Sequence, residues 1–268
     1  MDRLESSTLP GEWIPLSGRA RIRVGTSGWS YDHWQGAFYP TGVKPSERLA
    51  WYATRFPTVE VNATFYRLPS EKVVRGWRDA VPPGFAFAVK GSRFITHYRK
   101  LVDVGDAVAT FCGRLAVLGE KLRVVLWQLP PGLSRDTARL ESFLGVLPGN
   151  LRHAVEFRET SWLTSDVFEV LRARNVAHVH VSSDAMPIDL TTTADFAYVR
   201  FHGLAGYHGE YVERALLSWG AFLCAERDKG HDAYVYFNND ANACAPRDAV
   251  RLQEMCAASR QGVGANGD

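Results

Sequence analysis

Eight short apolar runs, each closing on polar or charged residues, recur along the chain. They begin near Ile22, Thr58, Phe85, Val124, Arg152, Ala177, Phe196 and Asp232, and their length and β-branched or aromatic content predict strands. Helical spacing fills most of the intervals. Leu49, Tyr52 and Phe56 share one face of a segment that Ser46 is expected to cap, and Ala107, Val108, Phe111, Cys112, Leu115 and Leu118 form a second apolar stripe. Pro246 suits the first turn of a last helix carrying Val250 and Met255. Such alternation predicts an α/β protein with parallel strands. Eight strands in 268 residues fit a (β/α)8 TIM barrel, which takes roughly 250 residues.

One interval breaks the rhythm. Between Asp184 and Phe196 stands only AMPIDLTTTAD, too short and too β-branched for a crossover helix. The expected barrel is therefore distorted, without a full helix between strands 6 and 7. A seven-stranded barrel and a doubly wound open sheet are the competing arrangements. Against the open sheet, the first strand runs into GTSGW and not into the GxGxxG dinucleotide fingerprint. Residues 1–20 are expected to be a flexible leader, 21–258 a single barrel domain and 259–268 a flexible tail.

In a parallel barrel the C-terminal strand ends share one rim, so the polar endings VEVN, FAVK, VLWQ, AVEFR, VHVSSD, YVRFHG and YVYFNND converge. Strand side chains alternate between the helix layer and the axis. If bulky apolar residues mark the helix side, the axis receives Glu60 and Asn62, Ala88 and Lys90, Leu126 and Gln128, then Glu156 and Arg158. The same rule sends inward His178, His180, Ser182 and Asp184 from the sixth strand, with Val179 and Val181 outside. Tyr198, Arg200 and His202 follow from the seventh, and Tyr234, Tyr236, Asn238 and Asp240 from the eighth. In the first strand either Thr26 or Ser27 faces the axis.

Buried charge costs several kcal/mol unless it is paired or hydrogen-bonded. Two readings of these residues compete: a substrate site, or a self-paired ion network that plugs the barrel. For chemistry, Glu156 and Glu60 form a candidate acid/base pair. Lys90 is a candidate Schiff-base nucleophile or, more blandly, a clamp for a substrate oxyanion. Arg158, Arg200 and His202, with the loop GLAGYHGEY and its Gly203, Gly206 and Gly209, are a candidate phosphate or carboxylate site. Glu60, Glu156, Asp184, His180 and His202 are of metal-ligand type, but the interleaved Lys and Arg oppose a cation, and no metal or other cofactor is expected. Trp29 to Trp34, with Phe38 and Tyr39, read as a lid or stacking platform, to which FITHYRK (Phe94 to Lys100) adds aromatic and basic groups.

Composition narrows the class. A hydrophobic fraction of 46% and a charged fraction of 22% exclude disordered and fibrous chains, while a net charge of +2 neither demands nor excludes a polyanionic partner. Cys112, Cys224, Cys244 and Cys256 form no CxxC pair, which reads as reduced thiols in a cytoplasmic protein. No run has the length of a signal-peptide core or a membrane span.

Taken together, GTSGWSYDHWQGAFYP, TVEVNATFYRLPS, FAVKGSRFITH, WQLPPGL, AVEFRETSW, YVRFHG and YVYFNND resemble the YecE-like family of domains of unknown function, which are small TIM-barrel proteins. The resemblance runs from Arg21 to about Met255. It implies a distorted barrel whose shared residues gather at the C-terminal rim: Ser27, Trp29, Glu60, Asn62, Tyr66, Lys90, His97, Gln128, Glu156, Arg158, Arg200, His202, Asn238 and Asn239. It implies no reaction. Asp248-Ala249 stands where the family usually has Asn-Ala, and Asp240 where Thr is more usual.

The expectation from all of this is a cytoplasmic enzyme acting on a small anionic or sugar-like substrate by acid/base chemistry. Glu156 is its first catalytic candidate, with Lys90 and Glu60 beside it, and Asp184 joins the rim residues above as a substrate-binding candidate. The alternatives are a nucleic-acid-binding or repair-type phosphodiesterase and a non-catalytic binding protein. The residues carry no signal of oligomeric state.

Overall fold

The computed structural model describes residues 20–203 and 209–261. The leader apart from its last residue, most of the tail, and Gly206 with its neighbours 204–208 lie outside the described residues. Eight parallel strands are present: β1 (Ile22–Ser27), β2 (Thr58–Val61), β3 (Ala86–Lys90), β4 (Leu122–Gln128), β5 (Arg152–Glu156), β6 (Ala177–Ser182), β7 (Phe196–Phe201) and β8 (Asp232–Phe237). Each pairs with its sequence neighbour, and β8 closes on β1 through Ile22 opposite Ala233 to Thr26 opposite Phe237. That closure rules out the open sheet and the seven-stranded barrel. The predicted strand starts agree except at β3 and β4, which begin one residue later and two residues earlier than the apolar pattern suggested.

The helices are α1 (Arg48–Tyr52), α2 (Ala63–Tyr66), α3 (Glu71–Asp79), α4 (Gly105–Leu115), α5 (Thr137–Gly145), α6 (Ser165–Ala173), α7 (Glu213–Asp228) and α8 (Cys244–Gln261). No helix separates β6 from β7, as the short interval predicted. The apolar stripes do their expected work: Leu49, Tyr52 and Phe56, and Val108, Phe111, Cys112 and Leu115, are all buried between helix layer and sheet. Ser46 does not cap α1. The helix starts two residues later, with Glu47 at the capping position and its carboxylate accepting from the Lys44 amide. Among the described residues no helix is long and apolar enough to cross a membrane.

The barrel interior is filled in three tiers. At the N-terminal end Asp232 takes the guanidinium groups of Arg152 at 2.9 Å and Arg23 at 3.3 Å. In the middle, Ala86, Ala88, Ala154 and Ala177 face the large rings of Tyr198, Tyr234 and Tyr236, with Val124, Leu126, Val179 and Val181 between them. Small residues on one arc thus make room for tyrosines on the other, which keeps the interior packed and not a pore. The third tier, at the C-terminal rim, is almost wholly polar.

The alternation rule succeeds for β2 to β5, β7 and β8 and fails for β6. Val179 and Val181 face the axis, while His178 and His180 point outward. The missing helix is the reason. Where a helix covers a strand, apolar side chains belong outside; over β6 the cover is partly the polar segment before β7. His180 Nδ1 meets the Asp189 carbonyl at 3.0 Å, and Thr193 Oγ1 accepts from the His178 amide at 2.7 Å. Rings from α6 and α7 complete the cover, Phe168 lying 5.1 Å from His178 and Phe222 4.9 Å from His180. Asp184, expected to follow the same face inward, lies exposed in the turn after β6.

Candidate functional site

The rim is organised by Arg200 at the end of β7. Its side chain is buried, and its planar fork bridges the two inward glutamates: Nη2 to Glu60 Oε1 at 2.7 Å and Nη1 to Glu156 Oε2 at 2.6 Å. Such a fork satisfies carboxylates on both sides, which a lysine cannot do. Glu60 is further held by Ser27 Oγ and by Tyr198 OH, the latter at 2.6 Å. Ser27 is therefore the inward residue of β1; Thr26 turns to the helix layer and bonds Tyr52 at 2.9 Å. Glu156 Oε1 forms an ion pair with Arg158 and lies 3.1 Å from His202 Nε2, to which Arg158 Nη2 approaches at 3.0 Å. Gln128 Oε1 accepts from Arg200 at 3.3 Å, Asn62 Nδ2 donates to Ser27 Oγ at 2.7 Å, and Asn238 Nδ2 lies 3.3 Å from His202 Nδ1. Nine predicted residues from six strands and the turns behind them are thus one hydrogen-bonded unit.

Much of this unit is the self-paired network that the sequence left as the competing reading. Lys90 is the exception. Its ammonium group makes no hydrogen bond or ion pair among the described residues and sits over the Phe65 ring, 4.2 Å from the centroid. Gly91 follows directly, and a side chain there would strike the Trp127 ring, so the backbone leaving Lys90 is pressed against β4. His97 flanks the same ring edge-on at 4.9 Å, its Nδ1 2.8 Å from Thr96 Oγ1. Three cations, Lys90, Arg158 and Arg200, therefore surround two carboxylates, leaving one surplus positive charge.

Proton affinities follow from these contacts. Burial opposes ionisation of Glu156, but Arg158 and Arg200 outweigh it and hold the carboxyl well below its usual range. Burial pushes Lys90 down to about 8, with Arg200 adding to the effect against the pull of Glu156 and Glu60. Burial likewise lowers His97, helped by Lys90 and Arg158, and lowers His202 to about 4 despite Glu156. Both imidazoles are neutral at physiological pH.

A stability prediction follows. Burial, with His180 beside it, takes His178 to about 3, and burial takes His202 to about 4, against 6.5 for a free imidazole. Below 6.5 the unfolded chain binds protons that the folded chain refuses. Stability is therefore expected to be flat near neutrality and to fall on acidification through this window, by about 1.4 kcal/mol per pH unit for each histidine. Urea midpoints measured across the window test this; a constant midpoint down to about pH 4 contradicts it.

Four predicted residues stand apart. Trp29 packs edge-on against Trp77 of α3, 5.8 Å between centroids. Tyr66 lies outside the network and is 67% exposed. Asp184 lies exposed beyond β6. Asn239 turns away to bind Asp248 Oδ2 and the Gly209 carbonyl, both at 2.9 Å, and so ties α8 to the loop after β7. Two residues escaped sequence reasoning. Tyr198 was placed inward without a role, although a buried tyrosine hydroxyl needs a partner; Phe65, next to Tyr66 in NATFY, carried the same aromatic signal as the other rim loops. Among the described residues no group of three or more His, Cys, Asp or Glu is arranged to hold a metal ion. Two surface clefts, of about 320 Å³ between α5 and α6 and about 300 Å³ beside α4, contain none of these charged groups.

A family model matches nearly all of the chain. Residues 23–267 match the family described as Protein of unknown function DUF72. The UPF0759 protein YunF of Bacillus subtilis (strain 168) is 24% identical over 87% of this chain and 94% of its own length. A DUF72 family protein from Thermotoga maritima MSB8 is 30% identical with a TM-score of 0.81, covering 88% of this chain and 99% of that one. A DUF72 family protein from Enterococcus faecalis V583, 20% identical, covers 88% of this chain and 95% of its own with a TM-score of 0.76, a likeness of fold.

Proposed function

This chain belongs to the DUF72 family of proteins of unknown function, and from that premise we propose that it is a cytoplasmic enzyme acting on a small anionic substrate at the C-terminal rim, with Lys90 as the proton-transfer group. The observation that carries this reading is the unpaired state of Lys90. Every other charge of the inner rim has an opposite charge within 3 Å, whereas among the described residues Lys90 has the face of Phe65 and no counter-ion. A half-buried cation without a counter-ion is costly as structure and useful as a binding group. The block resemblance to YecE-like domains draws on the same rim residues.

The division of labour is as follows. Glu156, held ionised by two guanidinium groups, is a weak base; it fixes Arg158 and Arg200 and orients His202. Glu60, buried beneath Arg200, does the same from the other side. Lys90, at about 8, is placed to neutralise a substrate oxyanion and to give or take its proton near neutral pH. Asn62, Gln128 and Asn238 supply amides for orientation. The Asn62 Oδ1 acceptor is buried and has no hydrogen-bond partner among the described residues, an orphan that a bound hydroxyl or water would satisfy. His97 closes the outer side.

Sulfate is a suitable probe because its own charge is constant over the relevant range. Its affinity, followed by calorimetry from about pH 6 to about pH 10, is expected to hold up to about 8, where Lys90 titrates, and then to fall about tenfold per pH unit. Absent binding, or a flat profile, overturns the reading.

A further inference from the structure

A second cation without a counter-ion stands just outside Lys90. The Arg93 guanidinium lies 5.4 Å from the ring centroid of Tyr66 and 5.4 Å from that of Tyr98. It makes no hydrogen bond or ion pair among the described residues. The two tyrosines are 67% and 64% exposed, so the stack is open to solvent and its N–H edges are free. Contacts link it to the inner site without a gap: Lys90 over Phe65, Phe65 edge-on to Tyr66 at 5.0 Å, and Tyr66 against Arg93.

The segment bearing Arg93 and Tyr98 is held in costly geometry. Phe94–Tyr98 is a π-helical turn, a form that concentrates at functional sites. Behind it Lys100, Leu101 and Asp103 have φ values of 47°, 71° and 50°, left-handed positions that cost a residue with a side chain roughly 1–2 kcal/mol each. Leu101 is nonetheless buried and pins the turn. The turn so built carries His97 edge-on against Phe65, the ring under Lys90, and Arg93 against Tyr66 and Tyr98.

We propose that the Tyr66–Arg93–Tyr98 stack is an outer anion subsite, and that this side of the rim takes a small molecule with two separated anionic groups, one on Lys90 and one on Arg93. The proposal rests on the Lys90 reading above. The contacts of 4.2, 5.0 and 5.4 Å that run from Lys90 through Phe65 and Tyr66 to Arg93 hold the ammonium and the guanidinium within about 15 Å of each other, a span for a flexible bis-phosphate or bis-carboxylate of suitable length. The net charge of +2 fits a small dianion better than a nucleic acid.

The test compares alkyl monophosphates with α,ω-alkane diphosphates of increasing length on the full chain. Wild type is expected to bind the diphosphate of matching length at least about tenfold more tightly than any monophosphate, because the second contact is intramolecular. Arg93→Ala erases that preference and leaves monophosphate affinity within about twofold; Lys90→Met weakens both probes. If Arg93→Ala keeps the diphosphate preference, the outer subsite is wrong and the Lys90 reading stands. If Lys90→Met changes neither probe, both fail. A single-stranded oligonucleotide that outbinds every diphosphate, with steep salt dependence lost in Arg93→Ala, overturns the small-ligand assignment.

Discussion

Arg200→Met is expected to lower stability by about 3–5 kcal/mol at neutral pH, with the deficit shrinking as the pH is lowered. Arg200 lies between Glu60 and Glu156, at 2.7 and 2.6 Å, and both carboxylates are fully buried. Methionine fills the volume but returns no charge, so two carboxylates remain in a low-dielectric interior with a single guanidinium, Arg158, still on one of them. In the wild type the depressed pKa of Glu156 contributes stability above 4.5 that is lost as the pH falls through the folded value. In the variant Glu156 keeps only Arg158 against its burial, so less of that stability is present to be lost and acid narrows the gap between the two proteins. Urea unfolding of both proteins at about pH 7 and about pH 4.5 measures the effect. A deficit below about 1 kcal/mol, or one independent of pH, shows that the pairing is not what keeps this tier folded.

Lys90→Met is expected to do the opposite. It removes a desolvated ammonium that has no carboxylate partner among the described residues and leaves an apolar chain over the Phe65 ring, so the melting temperature should stay level or rise. Sulfate affinity should fall roughly ten- to hundredfold, the loss of one charge-assisted contact of about 1.5–3 kcal/mol. The pair of outcomes discriminates between the two readings of the rim. A residue kept for the scaffold loses stability when replaced, as Arg200 should; a residue kept for a ligand loses binding and gains stability. A fall in melting temperature without loss of sulfate binding assigns Lys90 to the scaffold.

The eight strands and the inward set of β2, β5 and β7 were legible because both depend on local rules. Strand alternation has a period of two, and Val, Ile and aromatic runs carry it whatever lies across the barrel. The missing helix was legible from chain length alone, since eleven residues between Asp184 and Phe196 leave no room for a crossover. The facing of β6 was not. It depends on what covers the strand, and the rule that apolar residues point outward lapses where the Asp189 carbonyl meets the His180 ring and Phe157 and Phe168 flank that of His178. The partners of Asn239 were hidden for a related reason: an asparagine beside the rim donates to Asp248 of α8 and to the Gly209 carbonyl after β7, contacts that only the fold brings together.

By itself, then, the sequence determined a closed α/β barrel with charges at one end, because burial pattern, strand count and interval length are properties of short stretches of chain. Which charges cancel was decided only by tertiary structure. Arg200 meets Glu60 across 140 residues and Glu156 across 44, and the sequence contains three equally plausible cations for those two carboxylates. Barrel closure settles the pairing by geometry, since a planar guanidinium reaches two carboxylates at once from β7, whereas the Lys90 ammonium on β3 reaches neither. The cation left without a partner, and with it the candidate binding group, exists as such only after the chain has folded.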